Sequence, residues 1–107
     1  MENRNKEIAG EILRQLGGNK FIVMTGAKNL AYDESNLTFK IGRNSKSINY
    51  VEIKLNGSDL YDMTFSKVSF SRKTGEVKNK IISTAKGIYN DMLQSCFTEA
   101  TGLYTRL

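Results

Sequence analysis

Two five-residue stretches, Leu37-Thr38-Phe39-Lys40-Ile41 and Val51-Glu52-Ile53-Lys54-Leu55, alternate apolar and polar side chains without a break. Successive side chains of a strand point to opposite faces, so the pattern fits a strand buried on one face and does not fit a helix. Asn56-Gly57-Ser58 supplies a turn after the second stretch. Tyr61, Met63 and Phe65 continue the alternation, but Val68 and Phe70 return on the opposite parity. This requires either a bulge near Ser66-Lys67 or a strand covered on both faces late in its course. Arg72-Lys73-Thr74-Gly75 is a turn signal that leads into a last short strand or directly into helix.

Helical spacing flanks these strands. From Lys6 to Leu16, Ile8, Ala9, Ile12, Leu13 and Leu16 fall on one stripe, and Gly17-Gly18 ends the pattern. Phe21-Ile22-Val23-Met24-Thr25 is a continuous apolar run between glycines, a buried strand or a buried turn of helix; its length and β-branched residues favour strand. Ile81, Ile82, Ala85, Ile88, Tyr89, Met92, Leu93, Cys96 and Phe97 form the longest periodic stripe, read as a final helix stopped by Thr101-Gly102. That helix starts at a cap on Ser83 or Thr84, or nearer Val77. The expected fold is α+β, one domain over residues 1–107: a helix, a three- to four-stranded antiparallel meander and a C-terminal helix, with both helices on one face of the sheet.

The charge is as unevenly placed as the apolar residues. Between Lys40 and Lys80 there are nine Lys or Arg against four acids, while the remaining 66 residues carry seven of each sign. The whole net charge of +5 therefore belongs to the strand region. A basic stretch inside a folded segment suits a surface that faces polyanions or acidic partners.

What the chain lacks narrows its chemistry. It contains no His, which removes the usual general base near neutral pH and the commonest nitrogen ligand for a transition metal. Its single cysteine, Cys96, cannot form a disulfide or a thiolate cluster within one chain and is read as a small core residue. Asp33, Glu34, Glu52, Asp59 and Asp62 are carboxylates near the strands without a catalytic motif, and order turns. A non-enzymatic protein with no cofactor and no metal is expected. No apolar run approaches the length of a membrane span and the start lacks a signal peptide's apolar region, so a cytoplasmic protein without membrane contact is expected.

Two groups of residues are candidates for contact. Thr25, Lys28 and Asn29 present a hydroxyl, an ammonium and an amide beside Gly26; the spacing fits neither phosphate-binding glycine motif, and the simpler reading is a strand-end turn. Lys40, Arg43, Lys46, Tyr50, Lys54, Arg72 and Lys73 form the second group. Lys40 and Lys54 point away from the apolar face, and Tyr50 shares the parity of Lys54, giving an outer surface on which single-stranded nucleic acid can track and stack. The competing reading is a solvated face, with lysines paired across strands to Glu52 or Asp62. The last residues, Leu103, Tyr104 and Leu107 among them, are apolar for a terminus and are expected to pack on the body or, second, to form a homodimer contact.

Residues 17–29, Gly-Gly-Asn-Lys-Phe-Ile-Val-Met-Thr-Gly-Ala-Lys-Asn, with Leu-Asn-Gly-Ser-Asp-Leu-Tyr-Asp-Met-Thr-Phe at 55–65 and Thr-Gly-Leu-Tyr-Thr-Arg-Leu at 101–107, resemble a family of small phage- and prophage-encoded proteins of unassigned function, many from phages of Bacteroidetes. The resemblance implies a phage origin and brings no catalytic residues. Two roles follow for a small basic phage protein of this kind. One is counter-defence against a host nucleoprotein such as a CRISPR effector, in the manner of an anti-CRISPR protein; the other is binding DNA or RNA during phage replication or recombination.

Overall fold

A computed structural model describes residues 2–33, 35–42, 44 and 46–103. In chain order it contains α1 (Glu2–Leu16), α2 (Asn19–Thr25), β1 (Lys28–Asp33), β2 (Asn36–Lys40), β3 (Tyr50–Leu55), β4 (Tyr61–Phe70), β5 (Val77–Ile88), a 3-10 turn (Asn90–Met92) and α3 (Leu93–Thr101). The strands form one antiparallel sheet in the order β1-β2-β3-β4-β5. The α+β class and the meander agree with the sequence pattern, but the sheet has five strands where three or four were expected.

The register explains which residues form the core. Leu37 lies across from Ile53 and Ile53 from Met63, while Phe39 lies across from Val51 and Val51 from Phe65. All six are buried, and they join Ala9, Ile12 and Leu16 of α1, Phe21 of α2, and Leu93 and Phe97 of α3 in one apolar cluster. The rings of Phe21 and Phe97 pack edge-on with centroids 5.0 Å apart, and Phe21 meets Phe39 at 5.4 Å. Such edge-to-face pairs add roughly 0.5–1.5 kcal/mol beyond the area they bury.

Three elements differ from the sequence expectation. The run Phe21–Thr25 is helical: it buries Phe21 and Thr25, four residues apart, and leaves Val23, which a strand would have placed beside them, 80% exposed. Lys28–Asp33, to which the sequence reading assigned no strand, is the edge strand β1, exposed along its whole length. The expected long C-terminal helix begins only at Leu93, and residues 77–88 are strand.

Two bulges account for the last difference. Phe65 pairs with Ser83 and Ser66 with Ile81, leaving Ile82 as an extra residue; Tyr61 pairs with Ile88 and Met63 with Ala85, leaving a second extra residue. Gly87 supplies the positive φ of 67° at the second bulge, and its N–H donates to Asp62 Oδ1 at 3.0 Å. The second bulge lengthens the interval between inward-facing residues, so Ala85 and Ile88 fall three apart, and the extra residue Ile82 of the first bulge extends that spacing into an imitation of a helix. The irregularity expected near Ser66 is present, with the extra residue on the partner strand.

The turn between α2 and β1 is held by a close approach of two backbones. Gly26 ends α2 at φ 69°, and the Gly42 N–H donates to the Thr25 carbonyl at 2.8 Å. A Cβ on Gly26 would lie 3.3 Å from the Gly42 backbone. Gly26→Ala is therefore expected to lower stability by about 1–2 kcal/mol through the left-handed conformation alone, more if the crowding is not relieved, as read from the denaturant midpoint.

Candidate nucleic-acid interface

Beyond Ser66, which pairs with Tyr50, β4 has no further residue of β3 beside it. The ladder is prolonged by one side chain: Asn49 Nδ2 donates to the Val68 carbonyl at 2.8 Å and the Val68 N–H donates to Asn49 Oδ1 at 2.7 Å. An amide side chain here does what a neighbouring strand's peptide would do. Past Val68, β4 and β5 continue as a two-stranded ribbon closed by the turn Ser71–Glu76, where the Ser71 N–H donates to the Glu76 carbonyl at 2.9 Å.

The ribbon has two unlike sides. Lys67 lies across from Lys80 and Ser69 from Lys78 on one side. Val68 lies across from Asn79 and Phe70 from Val77 on the other, joined by Ile81. Phe70, Val77 and Ile81 are 65%, 66% and 61% exposed. Arg72 and Lys73 occupy the turn at the tip, both exposed.

Like charges directly opposite one another in a sheet repel. Lys67 and Lys80 form such a pair, and Lys28 of β1 and Lys40 of β2 form a second. Among the described residues none of these four takes part in an ion pair; the one that does form joins Arg14 to Glu11 on α1, at 2.5 Å. There the hydrogen bonds from Arg14 and then Gln15 hold the Glu11 carboxyl below its ordinary range. Arg14 of α1 is thus met locally, and Lys28, Lys40, Lys67 and Lys80 of the sheet are not.

The residues singled out in the sequence fall in separate places. Lys28, Lys40 and Tyr50 come together in one row, Lys28 across from Lys40 and Lys40 across from Tyr50, around a hollow of about 240 Å³ whose walls include Asn49 and Val68. Lys54 lies four residues from Tyr50 along β3, across from Asp62. The cross-strand ion pairs of the competing reading, lysines with Glu52 or Asp62, are not formed among the described residues, and Asp62 Oδ1 accepts instead from the Gly87 N–H and from Asn56 Nδ2. Lys46 lines a different depression, of about 450 Å³, with Phe65, Ile82, Cys96 and Glu99. Arg43 and residues 104–107 lie outside the described residues, while Leu103 packs partly buried against the core.

The proposed phosphate cradle is not assembled. Thr25 is buried and its hydroxyl donates to the Phe21 carbonyl at 2.7 Å, whereas Lys28 and Asn29 are exposed on β1. Cys96 is half-buried rather than fully buried; burial first, and then the charge of Glu99, pushes its thiol pKa up. Among the described residues, no three His, Cys, Asp or Glu gather to hold a metal, and no helix is long and apolar enough to cross a membrane.

The sequence reading did not single out Lys67, Lys78, Lys80 or Phe70 as contact residues. Their signal was the alternation of Val77, Asn79 and Ile81 with Lys78 and Lys80, which fits an amphipathic strand. Comparison with known proteins finds no matching family model, no matching curated protein and no matching solved structure. The site's own geometry therefore carries the functional argument.

Two outcomes test this description. Lys67→Glu replaces a repulsive cross-strand pair by an attractive one and is expected to stabilise the fold by about 0.2–1 kcal/mol, an effect that shrinks as salt is added. Alkylation of Cys96 by iodoacetamide is expected to rise with pH about a midpoint above that of free cysteine, because the thiolate is the reactive form.

Proposed function

We propose that this protein is a non-enzymatic, nucleic-acid-binding protein whose contact surface is the β4–β5 ribbon together with the Lys28–Lys40–Tyr50 row. The observation that carries this reading is the register that sets Lys67 opposite Lys80 and Lys28 opposite Lys40 without acidic partners among the described residues. The two pairs lie on opposite sides of the sheet; each destabilises the free sheet, and a polyanion bound on either side removes the repulsion of the pair it meets. Arg72 and Lys73 extend the positive surface to the ribbon's tip.

The resemblance to phage proteins fits two uses of this surface: an accessory role on phage DNA or RNA, or counter-defence. Within counter-defence, a cationic ribbon complements the guide RNA of a CRISPR-type nucleoprotein better than it complements that complex's nucleic-acid channel, which is itself positively charged. The same charge argument thus supports RNA capture over channel occupancy. Pull-down from a host lysate with RNA sequencing separates the two uses.

Fluorescence anisotropy with labelled DNA and RNA across a salt series is the direct test. If Lys28, Lys40, Arg72 and Lys73 each neutralise one phosphate of a single strand, the logarithm of affinity falls with the logarithm of salt at a slope of about −2.8. Lys28→Glu with Lys40→Glu is expected to weaken binding at least ten-fold and to flatten that slope. No binding of DNA or RNA at low salt would sink the reading.

A further inference from the structure

The ribbon's apolar side has no role in phosphate contact. Phe70, Val77 and Ile81 are all more than half exposed, and they share the side of the sheet that carries Lys28, Lys40 and Tyr50. Tyr50 lies across from Ser66, and Phe70 follows four residues along β4, with Val68 between them on the same side. At a strand rise of about 3.3 Å per residue, the two aromatic residues are spaced about 13 Å apart along β4. The hollow of about 240 Å³ lies beside Tyr50 and reaches Val68. Cations bracket the whole track, with Lys28 and Lys40 at the Tyr50 end and Arg72 and Lys73 past Phe70.

We infer that this side of the sheet is a single-strand track, on which unpaired bases stack against Tyr50 and Phe70 while the bracketing cations hold the phosphates. The inference rests on the nucleic-acid reading above and specifies its ligand as single-stranded. A duplex hides its base faces in its own stack, so it can satisfy the lysines and leave Phe70, Val77 and Ile81 in water. A single strand offers π-faces and phosphates along the same length of chain, the combination that this surface presents in reverse. The +5 net charge disfavours a second copy of the chain as the occupant, because the same cations would face each other across the contact.

The experiment measures binding of oligo-dT, oligo-U and a duplex of equal length to the full chain and to Phe70→Ala, Tyr50→Ala and Phe70→Trp. The single strands are expected to bind more tightly than the duplex. Phe70→Ala and Tyr50→Ala are each expected to lose about ten-fold or more for the single strands and little for the duplex, given the usual strength of base stacking on an aromatic side chain. Phe70→Trp restores the platform and, in a chain with no other tryptophan, gives an emission that stacked bases quench. Denaturation midpoints of the variants guard against loss of fold, and Phe70→Trp retains a readout if Phe70→Ala fails to fold.

If no nucleic acid binds, the inference falls together with the reading beneath it. If nucleic acid binds but Phe70→Ala and Tyr50→Ala leave single-strand affinity unchanged, or if the duplex binds more tightly, the inference alone is overturned. Sedimentation with phosphatidylserine vesicles that depends on Phe70, with oligonucleotide binding independent of it, also overturns it and assigns the apolar side to a lipid surface.

Discussion

One aromatic ring joins most of the layers of this protein. Phe97 of α3 lies 5.0 Å from Phe21 of α2, 6.4 Å from Phe39 of β2 and 6.3 Å from Phe65 of β4, centroid to centroid, and is fully buried. A short α2 of seven residues is not stable by itself, since helices of that length depend on packing for their existence. Its one large buried residue, Phe21, is held by Phe39 and Phe97. The same contacts seat α3 against the buried side chains of β2 and β4.

Between and beyond the strands, polar side chains take over the work of backbone. In a chain without proline, asparagines shape the loops: Asn44 Oδ1 accepts from the Lys46 and Ile48 N–H groups, and Asn56 Oδ1 accepts from those of Ser58 and Leu60. Asn49 does so across strands rather than within a loop, through its paired bonds to Val68. These bonds tie described residues on either side of β3, whose register with β2 sets Tyr50 beside Lys40.

The parts of this fold that could be read from the sequence are those with an undisturbed period. The second and third strands alternate strictly and lie where that alternation places them, and the helix ending at Leu16 stops at its glycines. Phe21–Thr25 was misread because a continuous apolar run has no period to distinguish helix from strand, and the neighbouring rings decide. Residues 77–88 were misread because two bulges gave a strand the spacing of a helix, although Val77, Ile81, Ile82, Thr84 and Ile88 are β-branched and favour a strand. The candidate site suffered from the same error: with the stripe from Ile81 onward read as helix and the segment after Gly75 left as either a last short strand or helix, Lys78 and Lys80 were not placed on a strand, and the opposition of Lys67 to Lys80 was not seen. Lys40 and Tyr50, placed on an outer face by parity alone, do lie side by side.

The Asn49–Val68 pairing divides the sheet into two regions of unequal cohesion. Up to Ser66, β4 has a neighbour on each side and a packed layer beneath it; after Val68 it has β5 alone. An isolated two-stranded hairpin is only marginally stable in water, so the end of the ribbon opens at a free-energy cost well below that of unfolding the core. The molecule is in effect a rigid slab carrying a finger whose order is set locally, and whatever fills the finger's apolar side also fixes its shape.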